Sequence, residues 1–186
     1  MYFSSFPKVD FNGTTLLDIT RKAILSKVVG TDALAYMNYR VEEGEKPEDV
    51  AFYYYDDPAL AWLVLLSNDI IDPYTQWPKS IKGFEEYLKV QYASESGTTG
   101  DAVIEWCRNA TIGSNILHYQ SHTDPDISLN RASYLNASNE ARAEFYPVRV
   151  YEYEFDLNEQ RREISLINKS LAPYIKDSLR DALNDD

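Results

Sequence analysis

Three pairs of carboxylates stand close together in this chain: Asp56 with Asp57, Asp124 with Asp126, and Glu152 with Glu154. A glycosidase needs two carboxylates across a cleft, one with its pKa raised so that it keeps a proton. Adjacency in sequence supplies neither condition, and in an acidic chain such groups are by default solvated. His118 and His122 stand four apart, with Asp124 and Asp126 after them. On a helix that spacing puts both imidazoles on one face, as in zinc sites. Thr123-Asp124-Pro125 breaks a helix there, no His-Glu-x-x-His arrangement is present, and no cysteine cluster adds ligands. Loop or surface histidines are the expectation. Cys107 with His118 would suggest a thiol nucleophile, but a lone buried cysteine ordinarily serves as a small hydrophobe. Gly97 and Gly100 lack the following lysine and the preceding strand of a phosphate loop, and no Gly-x-Ser-x-Gly elbow occurs. Nothing here argues for an enzyme: no catalytic residue, no cofactor and no metal are expected.

Composition narrows the partners instead. The chain has 186 residues and a formal net charge of −12. Phosphate binding relies on clustered Lys and Arg, so nucleic acid is not an expected partner. An anionic membrane would repel the chain, and no run is long enough to span one. The acid is spread along the sequence, which serves solubility or complements a basic protein surface. Tyrosine carries most of the aromatic content, with 15 copies. Its ring suits half-buried surfaces, either in a small core or where proteins meet. A single cysteine allows no internal disulfide and fits a reducing assembly environment. The opening residues lack the charged and apolar regions of a signal peptide.

Elements follow from periodicity. Residues 1–12 read as an aromatic, proline-punctuated arm without stable structure of its own. Its Tyr2, Phe3 and Phe6 either pack back on the domain or dock on a neighbour. Residues 15–29 read as a helix with Leu16, Ile19 and Ala23 on one face, stopped by Gly30. Leu34, Tyr36 and Met37 are expected to be buried. Ser80 is a natural N-cap, with Phe84, Tyr87 and Leu88 as the buried stripe that follows. Residues 93–100 read as loop, 101–108 as helix or buried strand, 115–120 as a weak strand and 139–144 as a short helix. Pro147-Val148-Arg149-Val150-Tyr151-Glu152-Tyr153-Glu154-Phe155 alternates and reads as the best strand in the chain. Residues 161–167 read as a second strand, so that the two form a hairpin, and residues 171–183 as a terminal amphipathic helix.

The stretch from Tyr39 to Tyr87 organises the rest. Tyr39-Arg40-Val41 is a short strand, and Glu42 to Glu45 an acidic turn. Pro47 sits at the first position of a helix, where its missing N–H costs nothing. Asp56-Asp57-Pro58 breaks the chain and starts a second helix, with Ala61, Trp62, Leu65 and Leu66 as its apolar face. Asn68-Asp69 ends it. This order resembles a LysM module, the small βααβ unit known from cell-wall binding. The matching pieces are Tyr39-Arg40-Val41, Gly44-Glu45, Val50-Ala51, Tyr54-Tyr55, Trp62 and Asn68-Asp69-Ile70-Ile71-Asp72-Pro73. The closing strand is missing after Pro73. An isolated strand leaves its N–H and C=O groups without partners, so residues 161–167 are expected to pair antiparallel with Tyr39-Arg40-Val41. The implied ligand groove lies between Gly44–Pro47 and Asn68–Tyr74, with the run to Pro78 covering or remodelling it.

A longer resemblance covers most of the chain. Gly44-Glu45-Lys46-Pro47-Glu48-Asp49-Val50-Ala51, Trp62-Leu63-Val64-Leu65-Leu66-Ser67-Asn68 and Asp72-Pro73-Tyr74-Thr75-Gln76-Trp77-Pro78-Lys79-Ser80 are similar to the baseplate wedge protein of T-even-type contractile-tail phages, the gene 53 product family. So are Tyr2-Phe3 with Phe6-Pro7, and the late segment from Tyr151 to Ile164. The expected fold is α+β: a LysM-like βααβ core with a long insertion, an N-terminal arm and helix, and a C-terminal hairpin and helix. The expected division is 1–38 for arm and helix, 39–76 for the core, 77–158 for the insertion, and 159–186 for closing strand and terminal helix. The resemblance implies a structural subunit of the virion's tail baseplate, assembled in the host cytoplasm. It implies six copies per baseplate, joining wedges around the central hub, with other wedge proteins, including the sheath-like one, and the hub protein as partners. Tyr2, Phe3, Phe6, Tyr55, Tyr74 and Trp77 are the expected contact residues. The other reading is a peptidoglycan-binding LysM protein.

Overall fold

A computed structural model describes residues 8–17 and 35–184. In chain order, strands β1 (Lys8–Phe11) and β2 (Thr14–Leu17) precede β3 (Tyr36–Arg40), helix α1 (Pro47–Tyr55), α2 (Ala61–Ser67) and the single turn α3 (Pro73–Gln76). There follow α4 (Ile81–Gln91), α5 (Ala93–Ser96), α6 (Asp101–Arg108), β4 (Ile116–Ser121), β5 (Ser128–Leu129), α7 (Arg131–Asn136) and α8 (Asn139–Arg142). The chain ends with β6 (Phe145–Arg149), α9 (Val150–Gln160), β7 (Glu163–Ile167) and α10 (Ala172–Asn184). The class is α+β. Two compact units divide the chain, one made of residues up to Pro78 and from Arg161 onward, the other of Lys79–Gln160.

The first unit is built on β3 and β7, which pair antiparallel with Tyr39 opposite Ile164 and Met37 opposite Leu166. Two strands alone are marginal in water, so the helices must supply burial. Val50, Ala51 and Tyr55 of α1, Leu63 and Val64 of α2, and Ile175 of α10 close with Val41, Ile164, Leu166 and Ile167 into one core. Leu63 and Val64 are the residues of α2 that lose all solvent contact, while Ala61, Trp62 and Leu65 pack around them half-buried. The start of α1 follows from local chemistry: Pro47 is its first residue, and the Lys46 N–H donates to the Asp49 carboxylate at 3.0 Å. Its end is Asp56 at φ 60°, in the left-handed region that a short polar side chain tolerates.

The N-terminal segment departs from expectation. Residues 8–17 form a hairpin, not an unstructured arm, and residues 14–17 are strand where a helix beginning at residue 15 was expected. Asn12 (φ 53°) and Gly13 (φ 76°) both take positive φ, the two-residue turn whose twist matches that of the strands. The Gly13 N–H donates to Asp10 Oδ1 at 2.9 Å and holds the turn. The remainder of the expected helix, and Leu34, lie outside the described residues. Tyr36 is half-buried and Met37 exposed.

The second unit packs Phe84 and Leu88 of α4, and Tyr92 just after it, against Val103 and Cys107 of α6 and Val150 of α9. Ser80 caps α4 by accepting the Gly83 N–H at 3.2 Å. Beside this core, β4 is the middle strand of a three-stranded antiparallel sheet, between β5 and β6. The expected strand over residues 147–155 is corrected here. It runs from Phe145 only to Arg149, and Val150 begins a helix. The same spacing serves both patterns: Tyr151 and Phe155 are four apart, and as helix neighbours both present their rings edge-on to Phe84. Glu152 accepts the Arg149 N–H and opens the helix. No C-terminal hairpin forms, because β6 pairs with β4 and β7 with β3. Within the segment read as loop, residues 93–96 make the one-turn α5.

Candidate protein interface

The groups that might have done chemistry are employed in holding the fold. Asp57 accepts the Ala59 N–H at 2.9 Å, and Asp56 forms an ion pair with Lys169. Asp124 accepts the Asp126 N–H at 2.9 Å, and Glu154 accepts the Tyr92 hydroxyl at 2.6 Å. His118 lies in β4 and packs edge-on to Tyr153, while His122 follows the strand. The two imidazoles therefore do not share a helix face, the arrangement in which an i, i+4 pair forms a zinc site. Among the described residues no group of three His, Cys, Asp or Glu side chains converges as a metal site. Nor is any helix there long and apolar enough to cross a membrane.

Cys107 is fully buried, and burial pushes its thiol up to about 11. A reactive cysteine needs the opposite shift, since the thiolate is the nucleophile. The folded protein is therefore expected to react with iodoacetamide at pH 8 at least about 100-fold more slowly than the same chain in denaturant, from the thiolate fraction alone. Alkylation followed by mass spectrometry measures it. The sign for stability follows. The unfolded thiol loses its proton first, so this contribution is whole below the ordinary thiol pKa and is lost as pH rises towards 11.

The loop after α2 is the most strongly shaped feature of the first unit's surface. Asp69 takes φ 53°, and the Ile70 N–H reaches back to the Leu65 carbonyl at 3.0 Å, a left-handed helix stop. Gln76 Oε1 then accepts the N–H groups of Ile71 and Asp72, each at 2.8 Å. Asp72 accepts the Tyr74 N–H at 3.0 Å and the Thr75 hydroxyl at 2.7 Å. Finally Trp77 folds inward: it is 7 % exposed, and its Nε1–H donates to the Glu45 carbonyl at 2.8 Å. The indole thus ties the loop to the turn between β3 and α1, the pair of loops that would flank a LysM-type groove. On the outer side of this braced loop, Ile71 is 79 % exposed and Tyr74 92 %.

The expected contact residues separate accordingly. Tyr74 is on the surface. Tyr55 and Trp77 are not: Tyr55 is 6 % exposed, its hydroxyl donates to the Ile167 carbonyl at 2.9 Å, and both rings belong to the core. As contact residues they are corrected, because an aromatic ring gains more from filling the centre of a small unit than from waiting for a partner. Tyr2, Phe3 and Phe6 lie outside the described residues. Exposed apolar groups that sequence reasoning passed over are Phe52 on α1, Ile71, and Val9, Phe11 and Leu16 on the hairpin. Opposed positions of the hairpin show the signal that was available: Val9 faces Leu16 and Phe11 faces Thr14, so one face carries Val9, Phe11 and Leu16, while Leu17 opposite Lys8 lies on the other.

Comparison with known proteins gives the family. The family described as base plate wedge protein 53 matches residues 16–180. The baseplate wedge protein gp53 of Enterobacteria phage T4 is 24 % identical over 144 residues, which cover 76 % of this chain and 71 % of that protein. The chain belongs to the base plate wedge protein 53 family and is a structural component of the phage tail baseplate.

Proposed function

We propose that this subunit joins neighbouring wedges to one another around the central hub during tail assembly, one copy in each of six wedges. Its partners are other wedge proteins, including the sheath-like one, and the hub protein; it is not an enzyme. Residues 39–76 with the closing strand at 161–167 act as a LysM-like unit turned to protein docking, and residues 77–158 as an insertion in it. The observation that supports this reading is the indole of Trp77 between the two groove loops, with Ile71 and Tyr74 braced outward beside it. A groove closed from inside serves a sugar poorly. A rigid loop carrying a large amphipathic ring serves a protein interface well.

The test is reconstitution. Wedges purified from a phage that lacks this chain are expected to join into rings, followed by sedimentation, only when the protein is added back. Rings formed equally well without it would remove the joining role. The βααβ element order favours a second reading, peptidoglycan binding, and purified cell wall separates the two. Retention on it at high salt would favour the glycan reading.

A further inference from the structure

The two edges of the β3–β7 ribbon are finished differently. The Val41 N–H donates to the Arg162 carbonyl at 2.9 Å and the Asn168 N–H to the Ala35 carbonyl at 2.7 Å. The odd-numbered residues of β3 therefore face β7, and the even-numbered ones face away. On β7 the outward groups include those of Ser165 and the Ile167 carbonyl, and side chains take these up. Asn68 accepts the Ser165 N–H at 2.8 Å and donates to its carbonyl at 2.9 Å. Ser67 donates to the same carbonyl, and Tyr55 to that of Ile167. This edge is occupied at Ser165 and at the Ile167 carbonyl. On β3 the outward N–H and C=O groups of Tyr36 and Asn38 have no hydrogen-bond partner among the described residues. No proline or bulge interrupts the strand, though these are the usual means of blunting an exposed edge.

Acid brackets the open edge. Burial first, and then the nearby Asp69 carboxylate, raise the Tyr36 hydroxyl above its ordinary value. At the other end Glu42, Glu43 and Glu45 lie within four residues of Val41. Glu43 pairs with Arg162, and Glu45 accepts the Glu42 N–H and the Tyr39 hydroxyl, so Glu42 is the carboxylate this end adds. We propose that the outer edge of β3 takes up an extended segment of another baseplate protein as a third antiparallel or parallel strand, with Lys or Arg on that segment flanking the paired residues. Main-chain hydrogen bonds to Tyr36 and Asn38 supply the grip, and Asp69, Glu42 and the chain's net charge of −12 favour a basic segment. A second copy of this chain is the poorer occupant, because each copy carries −12. The inference rests on the chain's place in the baseplate.

Amide hydrogen exchange on the intact protein, free and within purified tails, tests it. The Tyr36 and Asn38 amides are expected to exchange at least about 10-fold more slowly in tails, while those of Met37 and Tyr39 are slow in both. Unchanged exchange at Tyr36 and Asn38 in tails that contain the chain overturns the inference alone, and absence of the chain from tails overturns the family-based reading with it. Asn38→Pro removes an outward N–H without removing a β3–β7 bond, and its incorporation into tails is expected to fall at least about 10-fold. Normal incorporation of a folded Asn38→Pro chain counts against the proposal. So does a concentration-dependent dimer of the free wild-type chain that Asn38→Pro abolishes, which would make a second copy the occupant.

Discussion

Replacing Trp77 by alanine is expected to destabilise the unit that contains it by about 3–5 kcal/mol, the range for truncating a buried aromatic side chain. Two losses combine. The indole leaves a cavity beside Leu63, Val64 and the rest of the first core, with which it clusters. The Glu45 carbonyl also loses the donor that holds it at 2.8 Å. Trp77→Phe separates them. It keeps one aromatic ring, forfeits the hydrogen bond and leaves a smaller void, so about 1–3 kcal/mol should be lost. Urea denaturation of the three proteins reads both values, and domains of this size have about 5–15 kcal/mol in total. A loss below about 1 kcal/mol for Trp77→Ala would mean that the loop stands without its anchor. The experiment also bears on function, because the alanine variant opens the space between the loop after α2 and the turn between β3 and α1. If Trp77 is what keeps sugar out, the variant should be retained on cell wall where the wild type is not.

What the sequence disclosed, and what it hid, divides by the range of the interactions. Caps act over three or four residues, so Ser80 and Pro47 announced their helices and the structure has them there. The apolar stripe of the last helix was visible for the same reason, and Ile175 and Leu179 are buried. Backbone accounting reached further. A strand ending at Val41 needs a partner, and β3 has one in β7. The errors arise where a local pattern is satisfied in two ways. From Val150 to Phe155 the alternation of a strand is also the i, i+4 spacing of a helix, and the choice was made by Phe84, more than sixty residues earlier, which offers its ring to Tyr151 and Phe155. The hairpin at residues 8–17 was missed for a different reason. Asn12-Gly13 is a strong turn signal, but the aromatic arm before it and the helical spacing after it drew the reading away. The contact surface was the least legible part. Tyr55, Tyr74 and Trp77 are alike in sequence as exposed-looking aromatics near turns, and only the packing of α1, α2 and β7 decides that two of them are interior and one is not.

Asn68→Ala is expected to cost about 2–4 kcal/mol, more than its half-buried position suggests. Its side-chain amide stands in for a peptide group at the edge of β7: it accepts the Ser165 N–H at 2.8 Å and donates to the carbonyls of Ser165 and Val64 at 2.9 and 2.8 Å. Ser67 still reaches the Ser165 carbonyl in the variant, so the orphan is the Ser165 N–H. A buried donor without a partner costs about 1–3 kcal/mol, with about 1 kcal/mol more for the bond lost at Val64. Asn68→Asp makes the geometry itself testable. Its carboxylate keeps the acceptor for Ser165 N–H but turns an oxygen towards two carbonyl oxygens, which disfavours the charged form and raises its folded pKa. A group raised in this way contributes stability that is whole below the unfolded value, about 3.9, and lost as pH rises through the folded one. The stability gap between Asn68→Asp and wild type should therefore be wide at pH 7 and narrow steadily towards pH 4. A gap of the same width at both ends would mean that the side chain at position 68 does not face the Val64 and Ser165 carbonyls, and Asn68 would not be what occupies the β7 edge at Ser165.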